Sequence, residues 1–556
     1  MENNTSALTP QKINSLSSTQ CTTHFLKQLD EPFDTSLSWQ TLFPIASEMI
    51  KNFVQLPQPL LFLNAQYWHT AKNLLINCNQ NNLPLLTLQS FDQETLFGRV
   101  NLTTDSDITY QPGQIENLNA GLLVLHISPL LMNPTLWFLL KAFLLNQDIP
   151  VNAAVNGNKL RGLTTKLNTE KVTTKIILVA NRYQLDELTQ IDPDFSQVSS
   201  HFAEVAADIK KNAQNIQAIY QCSQEIIEAN ELPSISIKAF AELFTHFSRL
   251  SEHQNNIRFS PELIKIILGY AKLLLSQDTC KSNDIEIEHV LKALELKQKA
   301  QSNAQNFSDQ AILEKQIKIQ LKGESIGQIN GLSVVELMGY PTEFGEVFRI
   351  SASDMVGDGE IIDVERKVEL AGNIHAKSTL IVQGYLNHFF THIANFPLSC
   401  NVVFEQSYQE SDGDSASLAI LLAVSSCYAE TPIAQNLFVT GALDQQGNVL
   451  PIGGINQKIE AITRLFSLGL LSEPVTVLMP QANKVNLILN KKTLQLIDEK
   501  KINIYPIQHC LEAFPFAMSH SFESVIKIIN KRIHFLHKEE EDEPISLLTK
   551  CLNLLR

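Results

Sequence analysis

A serine hydroxyl and a lysine amine become a nucleophile and its base only where the chain brings them together away from water. Two stretches offer such a pair. Asp412-Gly413-Asp414-Ser415-Ala416-Ser417 joins a strand-like region to an apolar, helix-like run. Ser415 then falls at a helix N-terminus, where free backbone N–H groups can stabilise an oxyanion. Taken alone, the hexapeptide reads better as a helix cap, a place that favours Ser and Asp. It is not a nucleophile elbow, which needs glycine two residues after the serine, where this chain has Ser417. The second stretch is Pro451-Ile-Gly-Gly-Ile-Asn-Gln-Lys458. Gly453 and Gly454 permit a tight strand-to-helix turn, and Lys458 falls in the first turns of the helix. The helix dipole disfavours a positive charge there, and burial would loosen the proton further. A neutral amine near a serine hydroxyl is a competent general base. Lys458 alone still reads better as a surface lysine.

These residues need elements to position them. After Gly331 the chain turns to short β-like runs and glycine turns. Ser378–Val382 and Cys400–Phe404 read as strands. Leu437–Thr440 and Asn448–Leu450 read as a hairpin around Asp444-Gln-Gln-Gly447. Ser415–Tyr428 and Asn456–Leu468 read as helices, so this half is an α+β domain. The first half differs. Leu60–Leu63, Leu122–Leu125 and Lys175–Ala180 are buried-strand runs, with helical stretches at Thr70–Cys78 and Leu136–Leu145. That alternation predicts a parallel sheet. Residues 201–300 carry helical periodicity without clear strands. Phe240, Leu243, Phe244, Phe247 and Leu250 share one apolar face, and Ser260-Pro261 opens a further helix.

The expected organisation is an N-terminal extension over 1–50, an α/β module over 51–200 and a helical lid-like subdomain over 201–300. A helical linker over 301–325, an α+β domain over 326–520 and a C-terminal tail over 521–556 complete it. The extension is rich in Ser, Thr, Asn and Gln and reads as loosely packed. Lys538-Glu-Glu-Glu-Asp-Glu543 reads as a solvated charge run. A chain of 556 residues is too long for one core.

Composition excludes some functions. The formal net charge is −15, which opposes binding to a phosphate backbone, so no nucleic-acid partner is expected. The eight cysteines show no C-x-x-C spacing, which signals neither a zinc site nor a redox dithiol and suits reduced packing residues. Met1–Thr19 lacks a signal-peptide pattern. The most apolar stretch, Gly121–Leu145, holds His126, Asn133, Pro134 and Lys141, and does not read as a membrane span. The expected location is the cytoplasm.

Together the two chemical stretches resemble the Lon protease family over roughly residues 320–520. Family members carry D-G-P-S-A-G or E-G-D-S-A-S around the serine and G-G-x-x-x-K around the lysine. Here these are Asp412–Ser417 and Gly453–Lys458, with the serine and lysine 43 positions apart. Gly327-Gln-Ile-Asn-Gly-Leu332, Gly357-Asp-Gly-Glu360, Gly372-Asn-Ile-His-Ala-Lys377 and Thr440-Gly441 extend the likeness. The resemblance implies that Ser415 attacks the peptide carbonyl while Lys458 removes its proton and later protonates the leaving amine. It implies that Thr440 orients the lysine, although a plain β-branched strand residue is an equal reading. Asp412, Gly453 and Gly454 would support the site. Asp414 replaces the proline of one family branch and matches the aspartate of another. It either pairs with Lys458, raising its pKa, or is a solvated loop acid. His375 reads as structural.

The first half resembles the AAA+ module that precedes Lon-type peptidase domains. The likeness lies in Phe97-Gly98-Arg99, in Gly113–Leu125, in Leu178–Arg182 and in Asp192–Phe195. Its nucleotide chemistry is missing. The P-loop position reads Gln66-Tyr-Trp-His-Thr-Ala-Lys72-Asn73, without either glycine. Lys72 survives, but Asn73 replaces the magnesium-binding hydroxyl. His126-Ile127 stands where an acidic pair would follow the second strand. The expected fold is therefore a degenerate AAA+-like α/β module with a helical lid, followed by a Lon-type α+β proteolytic domain. The expected function is a serine endopeptidase on unfolded or damaged proteins, with no required cofactor and no metal. The resemblance implies a homo-oligomer, as a hexameric ring. Without a membrane-span pattern, no membrane partner is expected. An ATP-dependent Lon protease with residual nucleotide binding and a non-enzymatic chaperone-like or adaptor assembly are the alternatives.

Overall fold

The structure, a computed structural model, describes residues 13–29, 37–79, 82–102, 108–146, 149–155, 158–167, 172–198, 200–277, 284–367, 372–390, 393, 396–406 and 413–542. The chain divides into two compact units. One comprises His24–Ser251 and Asn256–Glu295; the other comprises Met1–Thr23, Glu252–Asn255 and Leu296–Arg556.

The first unit is built on a parallel sheet. Its strands are β1 (Leu60–Asn64), β2 (Leu85–Leu88), β3 (Leu122–His126), β4 (Lys175–Ala180) and β5 (Ser200–Glu204), in the order β2-β3-β4-β1-β5. Leu60–Leu63, Leu122–Leu125 and Ile176–Ala180 are buried, as continuous apolar strands covered on both faces must be. The register pairs Leu60 with Ile176 and Leu122 with Lys175. The edge strand β5, with its polar sequence Ser-His-Phe-Ala-Glu, gave no strand signal. Helices α1 (Trp68–Cys78) and α2 (Pro134–Asn146) accompany the sheet. Helices α3 (Ala213–Ala229), α4 (Ile237–Leu250) and α5 (Pro261–Gln277) form the helical part. The expected apolar face of α4 buries Phe240, Leu243, Phe244 and Phe247.

The second unit is mixed. Its main sheet comprises β6 (Gln328–Val335), β7 (Phe344–Val356), β8 (Ile361–Asp363), β9 (Leu398–Glu405) and β10 (Leu437–Val439). A hairpin of β11 (Ala442–Leu443) and β12 (Val449–Leu450) stands apart from it. Strands β13 (Val475–Pro480) and β14 (Ile502–Ile507) complete the sheet, whose order is β8-β9-β7-β6-β10-β13-β14. Helices α7 (Asn373–Phe389), α8 (Ser417–Ala429), α9 (Ile455–Ser467) and α10 (Phe522–Asp542) pack with it, preceded by α6 (Asn303–Leu313). Every residue of α8 is buried. A helix apolar on all sides belongs inside a core, and each buried Leu or Ile there contributes about 1.5–3 kcal/mol.

Several expectations change. Ser378–Val382 lies inside α7 rather than in a strand. His375, Ser378, Thr379, Val382, Tyr385 and Leu386 make one buried helical face, so packing overrides the β-branched propensity of the run. Leu437–Val439 is a sheet strand between β6 and β13. The hairpin around Asp444 is closed by β11 and β12 instead, with the Asp444 carboxylate accepting from the N–H groups of Gln446 and Asn448. The polar segment 13–50 contributes core: Leu16 and Cys21 in one unit, Phe25, Trp39, Phe43 and Ile50 in the other. Residues after 520 also contribute core, because α10 buries Phe522, Val525, Ile529 and Ile533. Scattered large apolar residues in a polar background carry this packing. The side chains of Lys538–Glu543 lie outside the described residues, as do Cys280 and Cys551. The six described cysteines, Cys21, Cys78, Cys222, Cys400, Cys427 and Cys510, are buried free thiols. No helix among the described residues is long and apolar enough to cross a membrane.

Candidate active site

Helix α8 fixes the serine. Ser415 sits two residues before its first turn, where the Ser417 N–H and side chain both bond the Asp414 carbonyl. The segment is clipped to the end of β10. Gly441 N–H donates to the Ser415 carbonyl at 2.8 Å, and Leu418 N–H donates to the Gly441 carbonyl at 3.1 Å. Thr440 is anchored in turn, its N–H donating to Leu478 of β13 at 3.1 Å.

Helix α9 supplies the lysine. Gly454 precedes its first residue at φ 64°, a left-handed conformation that favours glycine. A Cβ there would also lie 2.4 Å from Val334 Cγ2. Nothing lies within 4 Å of a Cβ at Gly453, so the structure gives that glycine no comparable need. Lys458 follows in the first turns of α9 and is 3% exposed. Its Nζ lies 2.9 Å from Ser415 Oγ and 3.4 Å from Thr440 Oγ1. Thr440 Oγ1 also donates to the Ser415 carbonyl at 3.3 Å, so one buried threonine touches both partners.

The burial of Lys458 loosens its proton. Burial lowers the Lys458 pKa from 10.5 to about 8, against the opposing pull of the Asp414 carboxylate. Asp414 is half-buried, and its charge reaches Lys458 without a close ion pair. That aspartate therefore acts at longer range, raising the proton affinity of the amine against the larger effect of burial. Asp412 lies outside the described residues. His375 is buried, with Nε2 3.0 Å from Asp363 Oδ2 and its ring edge-on to Phe404. It ties α7 to β8, a structural role. Sequence reasoning passed over Asn456 and Asn483, which bond the backbone around the lysine loop. Asparagine in turns and caps is too common for either to signal such a role.

In the other unit, the P-loop position forms the start of α1. The Trp68 ring meets His126 edge-on at 5.6 Å. The Glu262 carboxylate, from the first turn of α5, accepts from the His69 N–H at 3.3 Å and lies 2.8 Å from its Nδ1. The cavity lined by Gln66, Tyr67, Thr70, Phe43, Val205 and Phe259 measures about 10 Å³, room for a single water at most. Lys72 lies half-buried on α1. Asp192 is a buried acid held by Trp137 at 2.8 Å and by Lys141 at 2.7 Å.

Comparison with known proteins agrees with this division. Residues 81–206 match the LonB-like AAA domain, and residues 309–519 match the Lon protease (S16) C-terminal proteolytic domain. A Lon protease homolog of Escherichia coli (strain K12) is 32% identical over 430 residues, covering 77% of this chain and 72% of that protein. A Lon protease homolog of Haemophilus influenzae is 33% identical over 454 residues, covering 80% and 73%. The archaeal Lon protease of Archaeoglobus fulgidus is 27% identical over 368 residues, covering 64% and 55%. With that extent of likeness to both homologs, and a proteolytic domain matched across the Ser415 and Lys458 stretches, the chain belongs to the Lon protease family and so to the serine-type peptidases.

Proposed function

We propose that this protein is an endopeptidase that cleaves unfolded polypeptides through Ser415 and Lys458, without ATP hydrolysis. The observation that carries the reading is the 2.9 Å approach of the buried Lys458 amine to the half-buried Ser415 hydroxyl. Neutral Lys458 takes the hydroxyl proton as Oγ bonds to the scissile carbonyl carbon. The N–H groups of Ser417 and Leu418 are already taken by the Asp414 and Gly441 carbonyls, so N–H stabilisation of the oxyanion falls to the amides ahead of α8. Protonated Lys458 then gives its proton to the departing amine, and the same lysine activates the water that releases the acyl group. Cleavage of an unfolded protein such as casein by wild type, with loss in Ser415→Ala and Lys458→Ala, tests this. Equal cleavage by all three would refute it.

Independence from ATP rests on the P-loop position. The Glu262 carboxylate sits at the N-terminus of α1, where a phosphate would otherwise meet the helix dipole. The Trp68 ring lies edge-on against His126, and the cavity beside Gln66, Tyr67 and Thr70 is far below the several hundred Å³ of a cofactor pocket. The P-loop position lacks both glycines that would cradle phosphates, and His126-Ile127 replaces the acidic pair that would serve magnesium. These residues do not fit the nucleotide. The module then serves as scaffold, oligomerisation surface or substrate gate, in a homo-oligomeric, ring-like assembly by family likeness. Casein cleavage that is equal with and without ATP and magnesium supports this; multiple-turnover ATP hydrolysis overturns it.

A further inference from the structure

We propose that Asn483 is a positioning residue for the peptidase reaction, acting on Lys458 through the loop Pro451–Gly454. The proposal rests on the Ser415–Lys458 reading above. Asn483 lies in the turn Gln481–Asn486 that directly follows β13, and it is 2% exposed. Its Oδ1 accepts from the Ile452 N–H at 2.9 Å, and its Nδ2 donates to the Ile452 carbonyl at 2.8 Å. A single carboxamide thus meets both backbone groups of one loop residue, as a partner strand would. The same Nδ2 reaches Asn486 Oδ1 at 3.1 Å, which fixes the orientation of the amide.

Asn456, in the first turn of α9, makes the reciprocal pairing. Its Oδ1 accepts from the Ile488 N–H at 2.7 Å, and its Nδ2 donates to the Asn486 carbonyl at 2.8 Å. The lysine loop and the first turn of α9 are therefore bound to residues 483–488. Leu478 of β13, a few residues earlier in that run, accepts the Thr440 N–H, and Thr440 contacts both Ser415 and Lys458. One short piece of chain sets both sides of the dyad.

This arrangement answers a requirement of the reaction. Proton transfer needs the amine within hydrogen-bond reach of the hydroxyl, and a displacement of 1 Å is costly. The Gly453–Gly454 turn does not fix itself, because glycine leaves the backbone the most freedom. A carboxamide accepts from the Ile452 N–H and donates to its carbonyl from two separate atoms. Aspartate can accept but not donate, and alanine does neither.

The test measures kcat and KM on a fluorogenic peptide, across pH, for wild type, Asn483→Ala, Asn483→Asp and Ser415→Ala. Asn483→Ala is expected to lose at least about tenfold in kcat with KM within about twofold. Its acid limb moves to higher pH, because a lysine freed from its buried seat regains its ordinary affinity for a proton. Asn483→Asp is expected to be intermediate in kcat, and it carries the test if Asn483→Ala does not fold. Circular dichroism and the melting temperature establish folding. A folded Asn483→Ala with wild-type kcat and acid limb, or with a loss in KM alone, overturns the positioning role while leaving the dyad intact. Undiminished cleavage by Ser415→Ala overturns the dyad reading and this proposal with it.

Discussion

The depressed affinity of Lys458 for its proton makes a quantitative prediction about rate. With the ordinary value of 10.5, roughly one lysine in 3,000 is neutral at pH 7. At about 8, roughly one in 11 is, a gain of about 300-fold in competent base, equivalent to about 3.4 kcal/mol. The value of kcat/KM should therefore rise close to tenfold per pH unit below pH 7, reach half its maximum near pH 8 and level off above. Stopped assays with an internally quenched peptide, from pH 5.5 to 10, resolve this limb. Asp414→Asn should move the midpoint to lower pH, because the carboxylate stabilises the protonated amine. A midpoint near 6.5 with a plateau through pH 8 would indicate a histidine base. A limb still rising at pH 10 would mean that Lys458 is solvated. Either result refutes the reasoning.

Other perturbations follow from the same contacts. Unfolded Lys458 holds its proton up to about 10.5, whereas the folded protein releases it near 8, so the unfolded state binds more protons in that window and stability rises with pH across it. Lys458→Met should accordingly stabilise the fold at pH 7 by about 1–3 kcal/mol after the lost hydrogen bonds are discounted. That gain should shrink between pH 8 and 10.5 in thermal scans, and a constant difference at all pH values would contradict it. Gly454→Ala should lower the melting temperature, at a cost of about 1–3 kcal/mol for left-handed strain and the approach to Val334. Gly453→Ala should leave it nearly unchanged, and equal effects would be inconsistent with this account. Asp192→Ala leaves Lys141 buried without its carboxylate, so a loss of about 3–5 kcal/mol is expected in denaturant unfolding; a loss below 1 kcal/mol would show the pair to be solvated. Glu262→Ala should speed amide hydrogen exchange at the start of α1, without creating ATP hydrolysis. Unchanged exchange would remove Glu262 from its proposed place as the helix's resident anion.

What the sequence made legible, and what it hid, divides along physical lines. Leu60–Leu63, Leu122–Leu125 and Lys175–Ala180 stood out because both faces of a central parallel strand are buried and leave an unbroken apolar run. Helix α8 stood out for the same reason, and its start located Ser415. The polar edge strand Ser200–Glu204 did not, because an edge needs little apolar surface. Ser378–Val382 misled because β-branched residues advertise strands, while the buried face from His375 to Leu386 has helical spacing and α7 forms to bury it. Residues 13–50 looked loose because their core residues, Trp39 and Phe25 among them, are isolated in a polar background. Their partners are distant in sequence: Phe25 stacks on Phe244 and Trp39 on Phe259. The candidate site shows the same division. Gly454, the serine and the lysine stand in local patterns, each tied to a backbone conformation or a reacting atom. Asn483, Asn456 and Glu262 do not, because each acts on backbone groups far away in the chain, and any residue type can offer a backbone partner. A side chain whose only task is to hold someone else's N–H or carbonyl is defined by the fold and not by its neighbours in sequence. For that reason the residues that hold Lys458 in place emerge only from the coordinates, whereas the lysine is legible in sequence once its stretch is set beside that of Ser415.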